Sequence, residues 1–204
     1  MPTFSYFQTL QGLRKEIKSN FDLFTKKNDI QKAPAKDEIP PTWPDDVRAF
    51  YDEMDGATID WRHFNHEEQP FVSGRMRLLS AADVIRTGKG VIWSDSTPKD
   101  DVLRKFRLID FFVDEAACGF YEEGNGEMHL YHFEATPIPL GVNFEGYVKL
   151  MCMARGFFYW QEAIISINTG KSSQEAEDLK TYMPKIFPDF HYADLVKLLE
   201  EVKL

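Results

Sequence analysis

His63 and His66 stand three residues apart, with Glu67 and Glu68 beside them. On a helix that spacing would put two imidazoles on one face, and a carboxylate could complete a transition-metal site. No helical pattern of apolar residues surrounds them and no distant ligand pair joins them. The stretch from His63 to Ser73 therefore reads as a solvated polar loop, and no metal or cofactor is expected. His129 and His132 fall in a stretch that alternates as a strand, where positions three apart face opposite sides and cannot share one ion. His129 could form half of an acid–base pair, but no partner for it stands out. Gly170-Lys171-Ser172 looks like the end of a phosphate-binding loop. The first glycine of that motif would fall at residue 165, which is Ile165, and a helical pattern precedes it, so a surface turn is expected. Neither GxSxG nor GxGxxG occurs. Cys118 and Cys152 are too isolated for a zinc or CxxC motif and are expected as buried free thiols. Asp110 and Asp114 would matter most if the strand around them is central, where an acid is expected to be hydrogen-bonded scaffold.

The tryptophans carry a different chemistry. Trp43, Trp61 and Trp93 sit at the edges of predicted elements, each next to acids: Asp45 and Asp46, Asp60, and Asp95. Aromatic and acidic groups together are the ingredients of an interface facing a basic partner. With Glu67 and Glu68 they make the expected contact set. The alternative is that each indole closes the core at the end of an element.

The elements that would position these residues follow from periodicity. Phe4, Phe7, Leu10, Leu13, Ile17, Phe21 and Phe24 recur at three- and four-residue steps, which predicts an amphipathic helix. Lys26 to Pro41 is polar and proline-bearing and reads as a linker. A second helix starts after Pro44, with Asp45 and Asp46 at its positive end and Val47, Phe50, Tyr51 and Met54 on one face. It stops at Asp55-Gly56. Strands are predicted over Ala57–Trp61, Arg75–Leu79, Arg107–Val113, Gly119–Glu122 and Glu127–Phe133, with a brief one at Val91–Trp93. Glu123-Gly124-Asn125-Gly126 is a hairpin signal. Ser80 caps a short helix over Ala81–Arg86, and Ser94–Lys105 reads as part loop, part helix. Asn143 caps a helix that either breaks at Gly156 or runs on to Ile165. Gln174–Met183 and Tyr192–Lys203 are further helices. Consecutive strands flanked by helices favour an α+β fold with an antiparallel or mixed sheet.

Composition narrows the function classes. The chain has 204 residues and 43% hydrophobic content, enough for one sizeable domain with a real core. Its formal net charge is −9, with residues 1–42 at +2 and residues 43–204 at −11. Such a field repels nucleic-acid phosphates and attracts a basic protein, although acidity also serves solubility. No apolar run approaches the length that spans a bilayer, and Met1 to Asn20 lacks the pattern of a signal peptide. A cytosolic protein that binds no nucleic acid or membrane is the expectation.

Three segments in order resemble the SUKH superfamily. Ile39-Pro-Pro-Thr-Trp-Pro-Asp-Asp-Val-Arg-Ala-Phe-Tyr-Asp-Glu-Met-Asp-Gly56 is similar to its opening, a Leu/Ile-Pro, a short aromatic-faced helix and a turn into the first strand, which Ile59 and Trp61 continue. Leu108 to Leu130 resembles its strand–turn–strand block, with Gly119 and Gly126 in the turns or their flanks. Asn143 to Met151 resembles its C-terminal helix, which Ala154 to Gln161 continues. The match covers roughly residues 39–165 and leaves 1–38 and 170–204 outside. This sets the expected organisation: an N-terminal helix and linker over 1–38, then a SUKH-like domain over 39–204 with a helical extension. The resemblance implies a central, mostly antiparallel sheet flanked by helices, and a protein-binding function with no catalytic signature. Bacterial members resemble immunity proteins that neutralise a toxin, often a nuclease; fungal members resemble regulators of cell-wall synthesis. The expectation is an immunity protein with a basic toxin domain as partner. A regulatory or scaffold protein of the same fold, and an enzyme or metal-binding protein with an unrecognised site, are the alternatives.

Overall fold

Side-chain alternation lays down the sheet. In the computed structural model, which describes residues 4–63, 72–133 and 135–204, Ala57, Ile59 and Trp61 of β2 (Ala57–His63) join one buried cluster. Thr58, Asp60 and Arg62 take the other face, as a period of two requires. Strands β1 (Leu23–Ile30), β2, β3 (Ser73–Leu78), β4 (Phe106–Asp110), β5 (Ala116–Tyr121), β6 (Met128–His132) and β7 (Ile138–Pro139) pair in sequence order, each antiparallel to the next. The chain is an α+β fold, as its strand and helix runs predict. Helix α1 (Tyr6–Ser19) precedes the sheet; α2 (Asp45–Glu53) and α3 (Ala81–Arg86) interrupt it. Helices α4 (Phe144–Met153), α5 (Trp160–Thr169), α6 (Gln174–Ile186) and α7 (Tyr192–Val202) follow it.

The helices bury the inner face. Leu10, Leu13 and Ile17 of α1, Phe50 of α2 and Tyr147 and Val148 of α4 share one cluster with Ile59, Met76, Cys118 and Leu130 of the strands. Phe106, Leu108, Ala117 and Tyr131 form a smaller cluster with Ile92, against which Trp93 and Leu103 pack. Its strand residues alternate with those of the main core, so it occupies the outer face, beneath the segment between α3 and the 3-10 turn Val102–Lys105.

Three expectations are corrected. The first helix ends at Ser19, capped by Asn20, and leaves Phe21 96% exposed. The start of the expected linker is strand: Leu23–Ile30 pairs along β2 and takes in Lys26 to Ile30. Only Leu23 and Ile30 of β1 are buried, so the apolar alternation that signals a strand is missing. A bulge near Lys26 and Lys27 marks this edge strand, where charge discourages pairing with another chain. At Val91–Trp93 there is only a single bridge, Lys89 to Trp93.

The sheet is thinnest at its middle. Strands β3 and β4 share one ladder pair, Leu78 with Asp110. Beside it the Asp110 side chain completes the seam: the amide of Arg77 donates to Oδ1 at 2.8 Å. The Tyr147 hydroxyl donates to Oδ2 at 2.7 Å, and Gln161 Nε2 donates to that hydroxyl at 3.2 Å. Asp110 is thus the hydrogen-bonded scaffold expected of an acid on a central strand. It is fully buried, and burial pushes its carboxyl up to about 6, against the pull of the Tyr147 and Arg77 hydrogen bonds.

That shift has a sign. An unfolded aspartate titrates near about 3.9. The stabilisation from protonated Asp110 is therefore complete below about pH 4 and is lost as pH rises through about 6. Asp110→Asn keeps the acceptor for Arg77 without the charge. Its stability relative to the parent should rise between pH 4 and 7 by roughly 2–3 kcal/mol, read from urea denaturation at each pH. A difference that stays flat across that range would show that the carboxylate is not held unpaired.

Candidate protein-binding site

The stretch between α4 and α5 makes an unusual set of backbone turns. Arg155, Gly156 and Tyr159 have φ of 50°, 64° and 58°. The left-handed region costs a residue with a side chain about 1–3 kcal/mol. Contacts on all sides over-determine it. The amide of Arg75 donates to the Gly156 carbonyl at 2.7 Å, and the amide of Phe158 to that of Ser73 at 3.1 Å. Trp61 Nε1 donates to the Arg155 carbonyl at 2.7 Å. The junction thereby runs along β3 as an irregular extra strand. A Cβ on Gly156 would lie 3.2 Å from the Arg75 backbone, which explains the glycine there.

The Arg155 side chain locks the same turn from the other side. Its guanidinium donates to Glu16 at 2.7 Å, to Asp189 at 2.6 Å and to the Met153 carbonyl at 2.8 Å. It lies over the Phe187 ring at 4.9 Å and the Phe190 ring at 6.0 Å. One side chain therefore ties α1, the α4 terminus and the α6–α7 corner together.

What this presents is a cleft. Phe157, Phe158 and Tyr159 face α6 across a cavity of about 120 Å³, whose far wall is Glu175, Asp178 and Tyr182. The Ser173 hydroxyl caps α6 by accepting from the amide of Ala176, and steps of three and four put the three α6 residues on one stripe. Asp178 accepts a hydrogen bond from Gln174 at 2.8 Å. Neither Glu175 nor Asp178 has a cationic partner among the described residues. The Tyr159 hydroxyl donates to Glu115, and His132 stacks on the Tyr159 ring at 6.4 Å while pairing with Glu162 at 2.9 Å. Burial and then that hydrogen bond raise the Tyr159 hydroxyl, and the charges of Glu115, Glu175 and Glu162 push the same way. The negative field at the cleft therefore comes from Glu115 beside β5 and Glu162 of α5 as well as from α6.

The contact set expected from sequence is dispersed. Trp43 and Trp61 are 2% and 0% exposed, so these two indoles close the core and face no partner. Trp43 Nε1 donates to Glu122 at 3.1 Å, and Trp61 packs so close to Gly74 that a Cβ there would meet the indole at 2.5 Å. Asp60 is buried against Arg75 at 3.0 Å. Asp46 accepts from the amides of Val47 and Glu145 at 2.9 and 3.1 Å, joining α2 to α4, and burial raises its carboxyl despite them. Asp45 and Asp95 are exposed and pair with Arg48 and Lys89. Trp93 lies half-buried under the Arg104 guanidinium at 4.4 Å. Asp45 and Asp46 do line a second cleft, beside the Gly124–Gly126 turn. Because Asp46 is occupied by backbone amides, that cleft presents one acid. His66, Glu67 and Glu68 lie outside the described residues.

The remaining candidates have settled places. His129 packs its ring edge against Phe106 and Tyr121, on the opposite face of the sheet from His132, as the strand spacing predicts. Gly170 ends α5 in the left-handed conformation, so Gly170-Lys171-Ser172 is the α5–α6 turn. Cys118 and Cys152 are free, and burial raises both thiols, Cys152 to about 12.

The junction rests on Arg155. Arg155→Ala should lower the unfolding free energy by about 2 kcal/mol, because Glu16 and Asp189 reach solvent and limit the charge penalty while the ring packing is lost. Arg155→Lys should restore less than half, since an ammonium cannot fork between two carboxylates. Thermal and urea melts of both variants check this; an Arg155→Ala protein as stable as the parent would show that the backbone bonds suffice. Comparisons of the chain with family models, with curated proteins and with solved structures find no match.

Proposed function

We propose that the chain is a non-enzymatic protein-binding module for a basic partner, and that the surface around the α5–α6 cleft is where the partner docks. The observation that supports this reading most is the pair Glu175 and Asp178, half-buried beside aromatic rings and without a cationic partner among the described residues. Aromatic anchors beside acids give a partner both apolar burial and charge complementarity. The −11 charge of residues 43–204 would guide a basic protein towards it.

The finer form of the proposal is an immunity protein that occupies the basic groove of a toxin, a nuclease being the natural case. It is supported by the resemblance of residues 39–165 to the SUKH superfamily and by the sign of the charge. A regulator or scaffold of the same fold would use the same surface on one of the cell's own proteins.

Co-purification from the native host separates these. The immunity reading expects a basic toxin domain encoded beside this gene, and growth that fails on toxin exposure when the gene is deleted. Binding should weaken by at least tenfold between 0.1 and 1 M salt, as the screening length falls from about 10 Å to about 3 Å. Capture of a housekeeping protein with unchanged growth would remove the immunity reading and keep the module. Salt-insensitive binding would remove the electrostatic basis of both.

A further inference from the structure

The Arg155 cluster is a worked example of what the cleft would hold. Around Arg155, two carboxylates (Glu16 and Asp189) and two aromatic rings (Phe187 and Phe190) enclose one guanidinium. The α5–α6 cleft repeats the surrounding parts: two carboxylates, Glu175 and Asp178, and the rings of Phe158, Tyr159 and Tyr182. No lysine or arginine of the described residues pairs with either acid, and residues 1–3, 64–71 and 134 contain no lysine or arginine. We infer that the cleft receives a single arginine side chain of a partner protein, its guanidinium against the rings and its N–H groups donating to Glu175 and Asp178.

The walls favour arginine over lysine. A guanidinium is planar, so it stacks on ring faces, and it carries five donors in a fork that two carboxylates can share. An ammonium is a compact, strongly hydrated charge that gives up more water on entering an aromatic cleft. Two rings of the cleft already carry a cation of the chain itself. The Arg75 guanidinium lies 6.0 Å from the Phe158 centroid, held there by Asp60, and the Lys185 ammonium 5.4 Å from that of Tyr182. This leaves the Tyr159 ring and the open faces for the partner's side chain. Glu175 also lies in the first turn of α6, where the helix dipole favours a negative charge. The wall opposite is fixed: the Phe158 amide is bonded to β3 and the Tyr159 hydroxyl to Glu115. Little side-chain order then has to be created on binding.

This inference rests on the protein-binding reading and has its own test. The full chain, labelled with ¹⁵N, is titrated with a blocked five-residue Gly/Ser peptide bearing one central arginine, and with its lysine and citrulline counterparts. The arginine peptide should give saturable shifts confined to residues 157–159 and 174–183. The lysine peptide should bind at least threefold more weakly, and citrulline, which keeps the shape without the charge, should give no saturable shift. The double variant Glu175→Gln/Asp178→Asn should lose at least tenfold, and Tyr182→Leu should weaken binding while its amide spectrum stays dispersed. Equal response to citrulline, equal affinity for lysine, shifts centred elsewhere, or full binding by the double variant would each overturn the assignment. A double variant that still captures the native partner as tightly as the parent would overturn the pocket alone and leave the binding module standing. Arginine binding here without any basic partner from the host would do the reverse.

Discussion

Asp110 stands at the middle of the sheet where a ladder would otherwise be incomplete, and much of the remaining architecture is arranged around it. Its carboxylate accepts from the β3 backbone on one side and from Tyr147 of α4 on the other. Together with the backbone bonds from Leu79 to Ile109 and from Phe111 to Arg77, this buried group joins the two halves of the sheet and fixes a helix over their seam. The cost is a desolvated carboxylate with no counter-ion among the described residues. Its two hydrogen bonds offset part of that cost, and its raised pKa measures what is left.

The same group dictates the course of the chain beyond α4. Gln161 donates to the Tyr147 hydroxyl, so residues fourteen apart must meet at one point. An unbroken helix would carry residue 161 about 21 Å along the axis from residue 147. The chain must therefore leave the helix, turn and return, and the left-handed residues at 155, 156 and 159 do this. The junction then lies against β3 and presents Phe157, Phe158 and Tyr159 to α6. The candidate site is in this sense a by-product of closing the core. A constraint at Asp110 becomes a cleft at the surface, and the Arg155 cluster keeps it open.

The parts of this organisation that were legible in the sequence are those carried by local pattern. The Asn143 and Ser80 caps, the helix stripes, the 123–126 hairpin and the opposite-facing His129 and His132 all follow from spacing. Strand β1 was not legible, because an edge strand with two buried residues has no apolar period; its ladder with β2 is a tertiary fact. The tryptophans misled for a related reason. Trp beside Asp reads as an interface when only neighbours in sequence are visible, yet Trp43 and Trp61 find Glu122 and the Arg155 carbonyl far along the chain. The cleft had one local signal, the stripe Glu175, Asp178 and Tyr182 at helical spacing. Its other half, Phe157-Phe158-Tyr159, reads as core until the helix is known to end at Met153.

Charge alone would not make this surface selective. Several acids of the chain are already engaged in short-range pairs, as Asp45 with Arg48, Glu145 with Lys149 and Glu177 with Lys180, and such exposed pairs contribute little and screen readily. On the proposed reading they add to a long-range field that would draw a basic partner, which would govern how fast it arrives. Selectivity needs groups that are held in place and partly shielded from water. Glu175 and Asp178 combine partial burial, adjacent ring faces and no ion-pair partner among the described residues. Asp45 lies at the other extreme, 93% exposed and already paired. A partner drawn by the overall field would therefore be discriminated at the α5–α6 cleft, where a misplaced or neutral side chain leaves two carboxylates short of donors in a partly desolvated site.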